Sequence, residues 1–175
     1  MQQTTYLSSS YRWTAYLVLG ITIFSLISYS AAWGASTASV TATVTVQNVS
    51  VSLSDGTISW GTLASNTAST TSPGLTQTAT NDGNIAEDFN IKGQNSGSWT
   101  LAGTNGTDQY VQRFCTASCT SAPTNYTALT TSYQTLASAV AASGTQTFDL
   151  YILTPNPSTV FTQQSVDVTV QAVAN

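Results

Sequence analysis

The sequence contains no histidine, and its only basic side chains are Arg12, Lys92 and Arg113. Without imidazole, the Ser-His-Asp and Cys-His nucleophile systems, the usual zinc-hydrolase ligand sets and a histidine general base are all excluded. Without a basic stripe there is nothing to displace counterions from phosphates, so nucleic acid is excluded as a partner, and so is a polybasic attachment to a membrane surface. Charged residues of both signs make up only 6% of the 175 residues, against about 25% in an average protein. The polar surface therefore has to come from uncharged groups, and serine plus threonine supply roughly a third of the chain, far above average usage. Long amphipathic helices and repeats of solenoid period are also missing. Aromatic residues at 10% and recurring Val, Ile and Leu separate the chain from a disordered Ser/Thr-rich tail.

The one long apolar run lies at the start. Residues 13–33 (WTAYLVLGITIFSLISYSAAW) carry no charge, follow Arg12, and lead into Ala31, Ala32, Gly34 and Ala35. A positive flank, a short apolar stretch and a small-residue exit form the pattern of a secretory signal peptide. Ala32 and Gly34 fit the −3 and −1 positions, so the exported chain would begin at Ala35. The run is also near the roughly 20 residues that span a bilayer, and the alternative is an uncleaved anchor. The domain organisation expected is thus 1–34 as signal peptide or membrane anchor, with 35–175 as an extracellular domain. Contact with a membrane is expected only through residues 13–33, if they are retained.

Residues 35–175 read as strands and turns. Ala38, Val40, Ala42, Val44 and Val46 alternate with Ser39, Thr41, Thr43 and Thr45, which is the period of a strand with one apolar face. The phase then flips to Val49, Val51 and Leu53, which a bulge near Gln47-Asn48 would accommodate. Further strands are expected at Thr57–Trp60, Ile85–Ile91, Ser98–Leu101, Tyr110–Phe114, Phe148–Ile152 and Val166–Ala172. A polar edge strand is expected within residues 65–80. Turn signals separate these strands, among them Asp55-Gly56, Pro73-Gly74 and Asn81-Asp82-Gly83-Asn84. About eight short strands of this kind imply an all-β chain with a single antiparallel β-sandwich, Ig-like or jelly-roll.

Candidate sites are few. Cys115 and Cys119 lack the two further soft ligands that a zinc site needs, and a disulfide closing a surface loop is the expected state. A ring that small contributes about 2 kcal/mol by loop entropy. Asp82, Asn84, Glu87 and Asp88 present oxygen ligands at close spacing, as calcium prefers, but the run does not match an EF-hand and serves equally as turn chemistry. Adjacent Glu87 and Asp88 point to opposite faces of a strand and so make a poor carboxylate pair for glycoside hydrolysis. They read as solvated charges. Trp60 and Trp99 share faces with Ile58 and Leu101 and are expected in the core. Tyr126, Tyr133 and Tyr151 remain as a possible sugar-stacking face. No cofactor is called for. Sequons occur at Asn48, Asn105 and Asn125.

The stretch from Thr80 through Asn81-Asp82-Gly83-Asn84 and Phe89-Asn90-Ile91 to Trp99-Thr100-Leu101, with Asp55-Gly-Thr-Ile-Ser-Trp60 before it, resembles a layout of prokaryotic secreted β-sandwich surface proteins. Biofilm-fibre subunits of the camelysin type are among them. The resemblance covers about half the chain. It implies an extracellular structural or adhesive role and carries over no catalytic residue. The expected function is that of a non-enzymatic secreted or cell-surface structural or adhesive protein, one form of which is a fibre subunit that assembles by donating its N-terminal strand to a neighbour. The rival is a module binding cell-surface carbohydrate. Export makes one prediction: N-terminal sequencing of the exported protein should begin at Ala35, and an intact Met1 terminus in the membrane fraction would contradict cleavage.

Overall fold

The computed structural model describes residues 37–175, and the expected signal or anchor segment lies outside the described residues. The described chain is all-β, with ten strands and no helix. No helix among the described residues is long and apolar enough to cross a membrane.

The strands fall into two sheets. In the larger, β1 (Val51–Leu53), β3 (Gln77–Asn81), β9 (Thr145–Leu153), β6 (Gln109–Cys115) and β5 (Thr100–Leu101) lie side by side. The short strands β2 (Ala68–Thr70) and β7 (Thr127–Ala128) extend this sheet beside β9 and β6. The smaller sheet has the order β10 (Thr169–Ala174), β4 (Glu87–Lys92), β8 (Gln134–Val140). Every pairing between named strands is antiparallel except β5 with β6, which is parallel over Thr100↔Gln109 and Leu101↔Tyr110. The pairing of β4 with β8 slips between Glu87 and Asn90, as at a β-bulge.

Strand alternation builds the core. Phe89 and Ile91 of β4, Ala79 of β3, Phe114 of β6, Leu136 of β8, and Phe148 and Leu150 of β9 pack with Leu129 into one cluster that draws on both sheets. Phe89 and Ile91 are wholly buried, and each such side chain contributes roughly 1.5–3 kcal/mol. The opposite face of β9 is buried as well. Tyr151 joins Cys115 and Tyr126 in a second cluster against Leu153, Cys119 and Ala122. Asp149 accepts hydrogen bonds from the Thr71 and Thr76 hydroxyls at 2.9 and 2.8 Å. Both faces of this central strand are therefore covered.

Three expectations are corrected. The alternating stretch 38–46 forms no strand; the first ladder begins at Val51. Thr57–Trp60 forms none either, although Ile58 and Trp60 pack against the core as expected. Glu87 is not solvated but fully buried, in phase with Phe89 and Ile91.

The burial of Glu87 constrains its neighbour. The Glu87 Oε1 atom accepts the Ser50 N–H at 2.9 Å, and a methyl group added at Gly83 would fall on that same oxygen and on the Asn48 carbonyl. At Gly97 a methyl group would meet nothing within 4 Å. Gly83→Ala should thus lower stability by about 1–3 kcal/mol, as overpacking does, while Gly97→Ala should be close to neutral. Urea unfolding midpoints compare the two, and equal midpoints would contradict the packing account.

Candidate functional site

Residues 37–49 present an uncommon surface. Val40, Val44 and Val46 are 94%, 91% and 80% exposed, although soluble chains usually bury valine. The segment carries no charge and pairs with no strand among the described residues. Its attachment begins at its end. Asn84 Nδ2 donates to the Val46 carbonyl at 2.9 Å, Asn48 N–H donates to Asn84 Oδ1 at 2.8 Å, and Ser50 N–H reaches Glu87. The expected bulge at Gln47-Asn48 is instead the point where the chain meets the turn before β4.

Within the compact unit Thr45–Asn175 there is also an open groove of about 1010 Å³. Its floor is formed by Tyr110 and Gln112 of β6 and by Phe148, Leu150 and Ile152 of β9. Its flanks are residues 55–65 and 158–168, neither of which contains a strand. Leu53, at the end of β1, and Val168, just before β10, also line it. At its rim Phe161 is 90% exposed. Asp55 and Asp167 are the charged residues of the lining; it contains no Lys or Arg.

Two groove-lining residues carry polar atoms that are sealed from water and have no partner, Trp99 Nε1 and Gln112 Oε1. The Tyr110 hydroxyl, by contrast, donates to the Gln94 carbonyl, and burial raises its pKa so that it stays protonated. The flank 158–168 is held by a few polar pins. Asp108, itself at a positive φ of 53°, accepts the Thr159 N–H at 2.7 Å and the Thr159 and Ser158 hydroxyls. Further along, Ser96 Oγ donates to Gln164 Oε1 at 2.8 Å.

The other residues singled out in the sequence are placed as follows. Cys115 and Cys119 are joined, with S–S 2.22 Å. Tyr126 and Tyr151 do not form an exposed platform: they are 5% and 7% exposed, with ring centroids 6.0 Å apart. The Tyr126 hydroxyl bonds the Cys119 carbonyl and shares a bond with Thr70 Oγ1, so burial of the rings is matched by satisfaction of the polar end. Tyr133 alone of the three is exposed, with the Lys92 ammonium 4.7 Å from its ring centroid. Asp82 and Asn84 are exposed, Glu87 points inward, and Asp88 on the other face accepts from Ala139 N–H and Asn175 Nδ2. These four calcium candidates are split between two faces, and among the described residues no three His, Cys, Asp or Glu side chains gather at a metal-binding distance. Of the sequons, Asn48 and Asn125 are exposed, while the Asn105 amide is engaged with Asn66 and Thr154.

No family model matches the chain, and no curated protein or solved structure compared with it matches either.

The Asp108 pin has a pH consequence. Hydrogen bonds from Thr159 and Ser158 favour the ionised carboxyl and hold its pKa below the ordinary aspartate range. A depressed carboxylate stabilises the fold fully above its unfolded pKa, and that contribution fades as pH falls through the folded value. A carboxyl NMR titration should place the Asp108 midpoint below that of an ordinary aspartate. Asp108→Ala should also speed protease cleavage within 158–168 at neutral pH. An ordinary midpoint with unchanged cleavage would show that Asp108 does not hold this flank.

Proposed function

We propose that this chain is an exported, non-enzymatic structural protein of the cell surface, whose two sheets form a sandwich and whose N-terminal segment joins one copy to the next. The observation that carries the reading is the exposure of Val40, Val44 and Val46 in an uncharged, alternating segment without a partner strand among the described residues. Burying three valines would release roughly 1.5–3 kcal/mol each, and a new ladder would pair the backbone groups along about 30 Å of a nine-residue strand. Strand addition of this kind draws affinity from backbone hydrogen bonds and specificity from alternate side chains. Passed head to tail, it does not close, so it builds a filament. The joined Cys115 and Cys119 fit an oxidising compartment, as export requires.

A second reading, a carbohydrate-binding module, draws on the aromatic lining of the groove, where Trp60, Trp99 and Tyr110 come together around an open volume. The two readings part on self-association. Electron microscopy and light scattering of the purified protein beginning at Ala35 should show filaments or concentration-dependent oligomers. Deletion of residues 35–46 should yield a folded monomer. A full-length chain that stays monomeric, with glycan-array binding, would favour the second reading.

A further inference from the structure

Resting on the proposed self-association, we infer that the receiving site for the N-terminal segment is the groove flanked by residues 55–65 and 158–168, and that its occupant is residues 35–46 of a second copy.

Among the described residues, the outer edges of β1, β2, β5, β7, β8 and β10 carry no further ladder. Leu53 of β1 lines the groove, and Val168 and Trp99 bring it to the starts of β10 and β5, whereas no residue of β2, β7 or β8 lines it. A strand laid there would extend the smaller sheet past β10, outside Tyr110, Phe148, Leu150 and Ile152, which are already buried. Residues 55–65 and 158–168 cover these side chains now without any ladder of their own. The segment's Ala/Val face suits such a floor, and its Ser/Thr face would turn outward.

Charge points the same way. Residues 35–46 contain no charged side chain, so in a chain cleaved before Ala35 their one charge is the terminal ammonium. The groove offers only carboxylates, Asp55 and Asp167, so an amine is accommodated and an acidic peptide is repelled.

The floor is also chemically unfinished. Buried polar atoms in folded proteins nearly always have partners, yet Trp99 Nε1, a donor, and Gln112 Oε1, an acceptor, have none. An incoming peptide group or serine hydroxyl supplies both an acceptor and a donor. Both atoms are closed off in the lone subunit, so an incoming strand reaches them only where residues 55–65 or 158–168 give way.

The test uses the full exported chain. A photo-crosslinking residue placed at Val44 is mixed with isotope-labelled copies, and the linked peptides are mapped by mass. Links from one copy to residues 158–174 or 55–65 of another are expected. Links to β8 or to the 116–126 loop of another copy would overturn the groove while leaving self-association intact. Links confined to a copy's own groove would overturn the second-copy occupant. An absence of any link between copies, in a chain that is monomeric, would remove the proposed function along with this inference. Gln112→Leu separates a receiving role from a merely structural one. It should raise the concentration needed for assembly about five-fold, the size of one hydrogen bond, and leave the melting temperature of dilute monomer unchanged or higher. Trp99→Phe should act in the same direction. A lower monomer melting temperature with unchanged assembly would overturn the assignment of these atoms.

Discussion

The side chain of Asn81 is the junction on which the arrangement of this chain turns. It is buried at the end of β3, with both amide hydrogens and its oxygen bonded. Its Nδ2 donates to the carbonyls of Ile85 and Val140, at 2.8 and 2.9 Å, and its Oδ1 accepts the Gly83 N–H. The bond to Val140 ties the larger sheet to β8 of the smaller one, and the other two close the turn that leads into β4. That turn then delivers Glu87 and Asn84 to the incoming chain at residues 46–50. Removal of one partner from such a knot leaves the others buried and unsatisfied, at about 1–3 kcal/mol for each group. The knot therefore fixes residues 46–50 to the turn before β4.

With so few charges, the fold is held by hydroxyl groups. Thr71 Oγ1 donates to Asp149 while accepting the Leu150 N–H. Thr154 Oγ1 donates to the Ala64 carbonyl and accepts the Thr67 N–H. A hydroxyl both donates and accepts, so one side chain can close a strand end from two directions. It also avoids the desolvation cost of burying an ion pair. The Ser/Thr richness of the sequence thus does more than wet the surface; it supplies the polar links between β2, β9 and the loops beside them.

The strands with strict period-two patterns were legible because both their faces had distinct chemistry. Phe148, Leu150 and Ile152 turn inward as alternation requires, and so do Phe89 and Ile91. The same rule, applied to Glu87, would have shown it to be buried, since it shares their phase; its charge obscured the pattern. The outer face of β9 was not legible. Its covering comes from the loop closed by Cys115 and Cys119 and from residues 71–76, both distant in sequence, and no local pattern encodes that Tyr126 will pack on Tyr151. The groove was equally hidden, because it arises where residues 55–65 and 158–168 fail to form ladders in spite of strand-like composition.

The failure of residues 38–46 to form the expected strand is itself informative. Strand formation depends on a partner ladder as much as on propensity, since an unpaired extended chain leaves its amide groups to water. Here the propensity is high, with alternating valine and threonine, and the partner is missing among the described residues. Soluble proteins guard such stretches, and the free edges they seek, with charge or proline. Neither guard stands in residues 35–54 or in β10. A chain that leaves both a ready strand and a ready edge unprotected invites indiscriminate pairing unless shape selects the partner. In the proposed assembly that selection falls to the groove. Its lining holds no Lys or Arg, and residues 55–65 and 158–168 flank it without ladders of their own.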